Sequence, residues 1–365
     1  MARTRVALVY GGKSGEHEIS LISAYSILQA LDPTHFDVVA MGVDREGNWH
    51  FNRLPELMMD DTTREKHQLP AKLNKSASVS IMDQQKTADI IGGSIDVVFP
   101  IIHGTQGEDG CLQGLLEMAN LPYVGAGVLA SAIGMDKDIS KKLAKLAGIN
   151  VTAYKTATQA IFRHKSDAIL DDIVQTLGFP VFVKPNQLGS SVGIHKAVDR
   201  ATLLSAMQDA FQYNEKIIIE AGLDAQEIEI SVLENPIPGE PPLVSLPGEV
   251  RVTSQHEFYS YDAKYLDPNG AELLIPAPLS PEKIKEVQRL AQTVFEALSC
   301  ESMARVDFFL ERKTGTLFFN ELNTLPGFTP ISMYPKMWEA SGLPYRELLR
   351  ILIDLAIARH QRGAS

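Results

Sequence analysis

The sequence predicts an α/β protein whose N-terminal part is doubly wound and whose remainder forms two α+β lobes. Strand-like apolar runs at 6–10, 36–41 and 96–102 alternate with helical patterns at 19–31 and 112–119, the order expected of a doubly wound unit. Glycine-rich turns follow the first and third runs, at the strand ends where such sheets gather ligands. From residue 131 the order becomes helix, strand, loop, helix, strand, and then long strands flanked by helices, which suits α+β lobes.

Taken in chain order, the first unit is expected over 1–125. Its opening apolar run is too short for a signal-peptide core and no small-residue cleavage site follows, so 6–10 reads as the first strand. Between 52 and 94 the pattern weakens into Met-Met-Asp-Asp-Thr-Thr and Lys-Leu-Asn-Lys-Ser-Ala-Ser, a long surface excursion with no chemistry assigned. A second unit over 126–229 carries a helix at 137–147 stopped by Gly148, a strand at 179–184, a Gly/Ser loop, a helix at 201–211 and a strand at 217–220. The third, 230–365, carries a helix at 281–298, a strand pair at 303–310 and 316–320, and a last helix with Leu348, Leu349, Leu352 and Leu355 on one face.

With 365 residues, 45% hydrophobic and 22% charged, the chain can bury a sizeable core. No uncharged apolar stretch approaches the roughly 18 to 20 residues that span a bilayer, so membrane insertion is not expected. A net charge of −11 excludes a general nucleic-acid or membrane-surface binder, because no broad basic field holds phosphates. Cys111 and Cys300 have no ligand-like spacing, which fits a reducing compartment; the cytoplasm is the expected location. An anionic substrate then needs local positive groups.

Four motifs carry chemistry. In 305–310 and 318–327, Arg-Val-Asp-Phe-Phe-Leu and Phe-Phe-Asn-Glu-Leu-Asn-Thr-Leu-Pro-Gly, a hairpin would bring Asp307, Glu321 and Asn323 together as oxygen ligands suited to Mg2+. Any one of these acids alone would read as an ordinary solvated residue. In 181–193 an apolar strand ends in Lys184 and opens a Gly/Ser loop whose N–H groups suit phosphates, although it is not a Walker A sequence, and a mobile hairpin is an equal reading of it alone. In 11–20, Ser14 would cap a helix that carries Glu16 in its first turn. In 100–110 a strand end presents His103, a residue more often structural than catalytic when alone.

These residues resemble the D-alanine:D-alanine ligases. The match runs over nearly the whole chain: Gly-Gly-x-Ser-x-Glu-x-Glu at 11–18, His-Gly-x-x-Gly-Glu-Asp-Gly-x-Leu-Gln-Gly at 103–114, Met-Asp-Lys at 135–137, the loop from Lys184 to Gly193, Tyr-Asp-Ala-Lys-Tyr at 261–265, and Arg305-x-Asp307 through Gly327. The resemblance implies the ATP-grasp fold, with ATP between the second and third lobes. It implies Lys137 and Lys184 as phosphate lysines and places Ser190 and Ser191 in the phosphate-covering loop. Glu220, Leu223 and Glu227 become adenine and ribose contacts, although Ala221-Gly222 replaces the Lys-aromatic pair of some members.

Asp307, Glu321 and Asn323 would hold two Mg2+ ions, with Mn2+ as a substitute, while ATP phosphorylates one D-alanine carboxylate and the amine of a second D-alanine attacks the acyl phosphate. Arg305 and the Gly327 N–H resemble the oxyanion stabilisers; Glu16, Ser190 and Tyr265 would anchor the first ammonium, with His103 near its carboxylate. Lys264 lies in the active-site loop with the substrate contacts, and Ser332 and Met333 resemble the contacts to the second carboxylate. A homodimer is implied. The alternatives are a D-alanine:D-lactate ligase, whose loop carries a His where this chain has Tyr265, with His256 nine residues earlier, and another ATP-grasp carboxylate-amine ligase. No biotin-accepting Lys-Met pair supports a carboxylase, and the retained acids and lysines speak against a sensor that has lost its chemistry.

Overall fold

The computed structural model describes residues 3–51, 94–189, 192–252 and 271–363. The first strand, β1 (Thr4–Gly11), is apolar on both faces because both are covered. It pairs in parallel with β2 (Phe36–Val43) and β4 (Val97–Pro100), and β3 (Trp49–Phe51) adds an antiparallel edge. On one face Val6, Leu8 and Tyr10 meet Leu21, Ala24 and Ile27 of α1 (His17–Ala30); on the other, Ala7 and Val9 meet Leu112 and Leu116 of α2 (Cys111–Met118). This is the doubly wound unit expected.

Helices α3 (Val128–Met135) and α4 (Lys137–Leu146) follow, the second capped by the Asp136 carboxylate, which accepts from the Ile139 N–H at 3.0 Å. A second sheet contains β5 (Tyr154–Thr158), β6 (Val181–Pro185), β7 (His195–Ala197) and β8 (Lys216–Ala221) in the order β5-β8-β6-β7, all antiparallel. Its apolar face is covered by α5 (Gln159–Leu177) and α6 (Arg200–Tyr213). The α5 helix carries little apolar periodicity for a physical reason: Lys165 leaves helical geometry, with φ −137°, and only Phe162, Leu170 and Ile173 are buried, so the sequence pattern does not predict it.

The third sheet is antiparallel and six-stranded, ordered β12-β11-β9-β13-β14 with β10 beside β9. Its strands are β9 (Ala225–Leu233), β10 (Leu243–Val244), β11 (Gly248–Val252), β12 (Ala271–Leu274), β13 (Met303–Glu311) and β14 (Leu317–Asn323), backed by α7 (Pro281–Ala297). The last two strands are the hairpin that the motif required. Two helices close the chain, α8 (Met333–Ala340) and α9 (Tyr345–Gly363).

Packing corrects the expected boundaries in two places. The cut at 229–230 falls inside β9, and Ala126, Ala130 and Ala144 pack with the third sheet, not the second. The leucine stripe of α9 is real, but Leu348, Leu349 and Leu352 pack with Val6, Leu8 and Phe99 of the first sheet. Periodicity reveals that a helix face must be covered; it does not reveal by what. Among the described residues no helix is long and apolar enough to cross a membrane. The segment expected as a surface excursion lies, except for Ser94, outside the described residues.

Because Leu352 is fully buried where the last helix meets the first sheet, Leu352→Ala is expected to lower unfolding free energy by about 2 to 5 kcal/mol. Leu146→Ala, at an 84% exposed position, should change it by less than about 0.5 kcal/mol. Denaturant unfolding of both variants checks this, and equal effects would contradict the packing described.

Candidate active site

A cavity of about 330 Å³ lies between the second and third sheets. Strand alternation builds its walls. In β6, Val181 and Val183 enter the core while Phe182 and Lys184 face the cavity; in β8, Ile217 and Ile219 enter the core while Glu220 faces it. Across the cavity, Ile228 and Ile230 of β9 and Val306 and Phe308 of β13 are core, and Glu227, Glu229, Asp307 and Phe309 are wall. Leu223 also lines the cavity.

The two expected phosphate lysines both reach this space. Lys184 lies 2.5 Å from Glu220 Oε2 and 5.8 Å from the centre of the Phe309 ring. Lys137, at the start of α4, donates to the Leu188 carbonyl at 2.9 Å and lies 3.2 Å from Glu321 Oε2. Beneath them a third lysine, Lys141, is 2.7 Å from Glu220 Oε1 and donates to the Phe319 carbonyl at 3.2 Å. Burial alone would raise the Glu220 carboxyl, but the Lys141 and Lys184 ammoniums outweigh it and hold the group at about 2. The Glu220 carboxylate is thus held by two lysines, one at each oxygen.

On the opposite wall the hairpin register sets Asp307 against Glu321 and Arg305 against Asn323. A bulge interrupts the register between Asp307 and Phe308, leaving Asn320 without a partner. Its effect is decisive. Leu317 and Phe319 point into the core, and a regular strand would send Glu321 after them; the extra residue turns Glu321 to the cavity while Leu322 returns to the core. On its other side Asp307 faces Glu229 of β9, so three acids stand in a row on adjacent strands. Arg305 bridges two of them, with Nε 2.7 Å from Asp307 Oδ1 and 3.1 Å from Glu229 Oε2, and Nη2 2.7 Å from Asp307 Oδ2. Burial opposes the guanidinium's charge, but these carboxylates raise its pKa well above the ordinary value.

Among the described residues, no three His, Cys, Asp or Glu side chains converge in ready metal-binding geometry. The donor chemistry nevertheless fits a hard cation: carboxylates of Asp307 and Glu321 and the amide of Asn323 share one face. Charge gives a second argument. Six carboxylates, at 220, 227, 229, 249, 307 and 321, line the cavity against four basic groups, at 137, 184, 251 and 312, so a polyphosphate entering alone would meet a negative wall. Divalent cations offset that repulsion.

Where the cavity approaches the first sheet, Gly11 and Gly12 turn the chain out of β1. Gly11 has φ +92° and a Cβ there would stand 2.1 Å from the Val43 carbonyl oxygen. The expected cap is corrected: Glu16, not Ser14, occupies the N-cap position of α1, and Ser14 Oγ instead accepts from the Glu16 N–H at 3.2 Å and donates to the His103 carbonyl at 2.7 Å. Gly104, at φ +77°, lies so near that a Cβ would be 2.8 Å from Glu16 Oε2. His103 is buried, contacting the Leu325 carbonyl through Nδ1 at 3.1 Å and Ser23 Oγ through Nε2 at 3.4 Å, and burial lowers its pKa.

Glu108 is the acid that the sequence reading missed here. Its Oε1 accepts from the Gly104 N–H at 3.0 Å, and burial together with the charge of Glu16 pushes its pKa up to about 8, against Lys137. Gly189, at the start of the Gly/Ser loop, abuts the pair: a Cβ there would lie 3.3 Å from Glu16 Oε2 and 3.6 Å from Glu108 Oε1. The only available signal was its place in the same Gly-rich turn as His103, where a single acid is commonplace. Glu229 had a clearer signal, the two-residue alternation of Glu227, Glu229 and Ser231, but its strand partner was not legible. Lys141 lay on the helix of Lys137, one turn along, and nothing in the sequence said that it was buried.

At the far end, a Cβ on Gly327 would lie 2.8 Å from Ser332 Oγ, which also accepts from the Thr329 N–H at 2.9 Å. Ser332 therefore sits beside Gly327. The Met333 side chain does not reach out: it is buried with Val250 and Met337, leaving only its backbone N–H for a ligand. Ser190, Ser191, Lys264 and Tyr265, with His256, lie outside the described residues.

A profile described as D-ala D-ala ligase N-terminus matches residues 5–126, and one described as D-ala D-ala ligase C-terminus matches residues 143–354. The chain belongs to the D-alanine–D-alanine ligase family. It is 48% identical to D-alanine–D-alanine ligase A of Bradyrhizobium diazoefficiens, covering 100% of this chain and 97% of that one, and 42% identical to D-alanine–D-alanine ligase A of Escherichia coli strain K12, covering 99% and 97%. The solved D-alanine-D-alanine ligase of Coxiella burnetii superposes with a TM-score of 0.80 at 34% identity, covering 100% and 97%. The VanG D-Ala:D-Ser ligase of Enterococcus faecalis gives 0.81 at 32% identity, covering 97% and 100%. The three-sheet architecture is that of the ATP-grasp ligases, and one such backbone serves relatives named for different second substrates.

A raised Glu108 pKa gives a pH dependence of defined sign. The folded state holds a proton that the unfolded chain releases near 4.5, so this group's contribution is complete below about 4.5 and is lost as pH rises through about 8. Glu108→Gln removes the dependence. Thermal unfolding across pH 5 to 8 should therefore show the parent losing stability relative to the variant as pH rises, and parallel curves would contradict the buried carboxylate pair.

Proposed function

We propose that the chain joins two D-alanine molecules into D-alanyl-D-alanine, with ATP as phosphoryl donor and ADP and phosphate released, supplying peptidoglycan precursor synthesis. The observation that carries this reading is the cavity itself: Lys137 and Lys184 on one wall face the Asp307–Glu321 strand pair on the other, and its end at Gly189 meets Glu16 and Glu108. Family membership supplies the reaction class. In this reading Lys184 and Lys137 hold the phosphates, and Leu223, Glu227 and the Glu220 backbone hold the base and ribose.

Two Mg2+ ions, or Mn2+ in their place, would be held by Asp307, Glu321 and Asn323, where they would neutralise the phosphates and the charge developing on transfer. Glu16 fixes the ammonium of the first D-alanine, and His103, kept neutral by burial, stands near its carboxylate. Phosphorylation turns that carboxylate into an acyl phosphate, because oxide is not a viable leaving group at neutral pH. Attack by the second amine then places negative charge on the carbonyl oxygen, which Arg305 and the Gly327 N–H stabilise. Ser332 and the Met333 N–H at the first turn of α8 would hold the second carboxylate. Ser190, Ser191, Lys264 and Tyr265 enter through the resemblance, as do a homodimeric assembly and a cytoplasmic location.

Phosphate release from ATP should depend on D-alanine and be absent with L-alanine, since an ammonium, a carboxylate and a methyl are fixed together. Glu321→Gln keeps the volume but removes a carboxylate shared by the cations, and should lower turnover at least about a hundredfold with folding intact by circular dichroism. A folded variant with normal turnover removes Glu321 from the metal site. Equal phosphate release with L-alanine overturns the substrate assignment.

A further inference from the structure

Behind the phosphate lysines a single carboxylate is shared by two ammoniums. Glu220 sits between two ammoniums, Lys184 at 2.5 Å from one carboxylate oxygen and Lys141 at 2.7 Å from the other. All three side chains are largely buried, with Lys141 1% exposed. Counted alone, the trio is two ammoniums to one carboxylate; the Glu321 and Glu227 carboxylates act on Lys184 from further off. Lys141 itself is not among the residues lining the cavity. It lies behind the wall, with its ammonium also donating to the Phe319 carbonyl on β14 and standing 5.8 Å from the Phe319 ring centre.

From this geometry we infer that Lys141 is a positioning residue for the nucleotide phosphates: it neutralises Glu220 from behind, so that the charge of Lys184 remains available to the ligand. The inference rests on the proposed ATP site. Without Lys141, Glu220 and Lys184 form a closed neutral pair, and the wall loses the unit charge that would face the γ- and β-phosphates. Lys141 also ties the second sheet to β14, two residues before Glu321. A merely structural lysine would act on stability alone; the electrostatic role makes a different prediction, because the loss can be reversed by removing the negative charge it offsets.

The test is direct calorimetric binding of the non-hydrolysable analogue adenylyl imidodiphosphate with Mg2+, beside adenosine as a ligand without phosphates. Lys141→Met is expected to weaken the analogue at least about tenfold, the scale of one unit charge acting over about 12 Å at an effective dielectric of about 20, while adenosine binding is unchanged. Lys141→Arg, which keeps the charge, should bind the analogue within about threefold of the parent. The double variant Lys141→Met, Glu220→Gln restores the net charge and should recover most of the affinity even if the single variant does not fold. Unchanged analogue binding in a folded Lys141→Met, equal weakening of adenosine, or no recovery in the folded double variant overturns the inference. A parent protein that binds neither ligand overturns instead the ATP site on which it rests.

Discussion

The cleft depends on one constraint: each charge taken out of water must meet an opposite charge carried by another element. Glu220 of β8 is met by Lys184 of β6 and Lys141 of α4, Asp307 and Glu229 by Arg305, and Glu321 by Lys137. Leaving one such group unpaired is strongly destabilising, whereas the pairs themselves add little over apolar contacts of the same size. Their value is therefore geometric. They fix where α4 and the two antiparallel sheets stand relative to one another, and the apolar cores behind each sheet provide the net stability.

Apolar alternation made most of the strands that form these walls legible, because burial of one face imposes a two-residue period that a single sequence displays. The 303–310 and 316–320 pair was readable as a hairpin for this reason, and its acids as a cluster. The bulge at Asn320 was not readable. A strict alternation from Phe319 sends Glu321 to the core, and only the register of the partner strand shows that it faces the cavity. The residues missed by sequence reasoning, Lys141, Glu108 and Glu229, share one property: each is made functional by what lies across from it, not by what lies beside it in the chain. The misplaced boundaries have the same origin, since the partner of the α9 stripe is some 250 residues or more earlier in the chain.

The junction with the first sheet shows how the substrate end is assembled from three distant segments. His103 contacts Leu325, Ser23 contacts both His103 and the Phe328 N–H, and Gly189 meets Glu16 and Glu108. Placing two carboxylates together is unfavourable while both are charged, and here burial raises one of them so that the pair carries less than its full charge. An ammonium brought to this point relieves the same repulsion.

What the fold does not determine is the second substrate. Relatives named for D-alanine and for D-serine share the backbone to similar TM-scores, so selectivity belongs to side chains that reach the second position. Of the residues that the resemblance places there, Met333 is excluded as a side-chain determinant because it is packed against Gly248 and Val250 in a small apolar cluster. Enlarging or shrinking it would disturb that cluster before it touched a ligand. Ser332 is different: its hydroxyl is held by the Thr329 N–H and lies against Gly327, the residue whose N–H is assigned to the developing oxyanion. On the roles proposed for these two residues, a change at Ser332 would move the carboxylate contact and the oxyanion contact together.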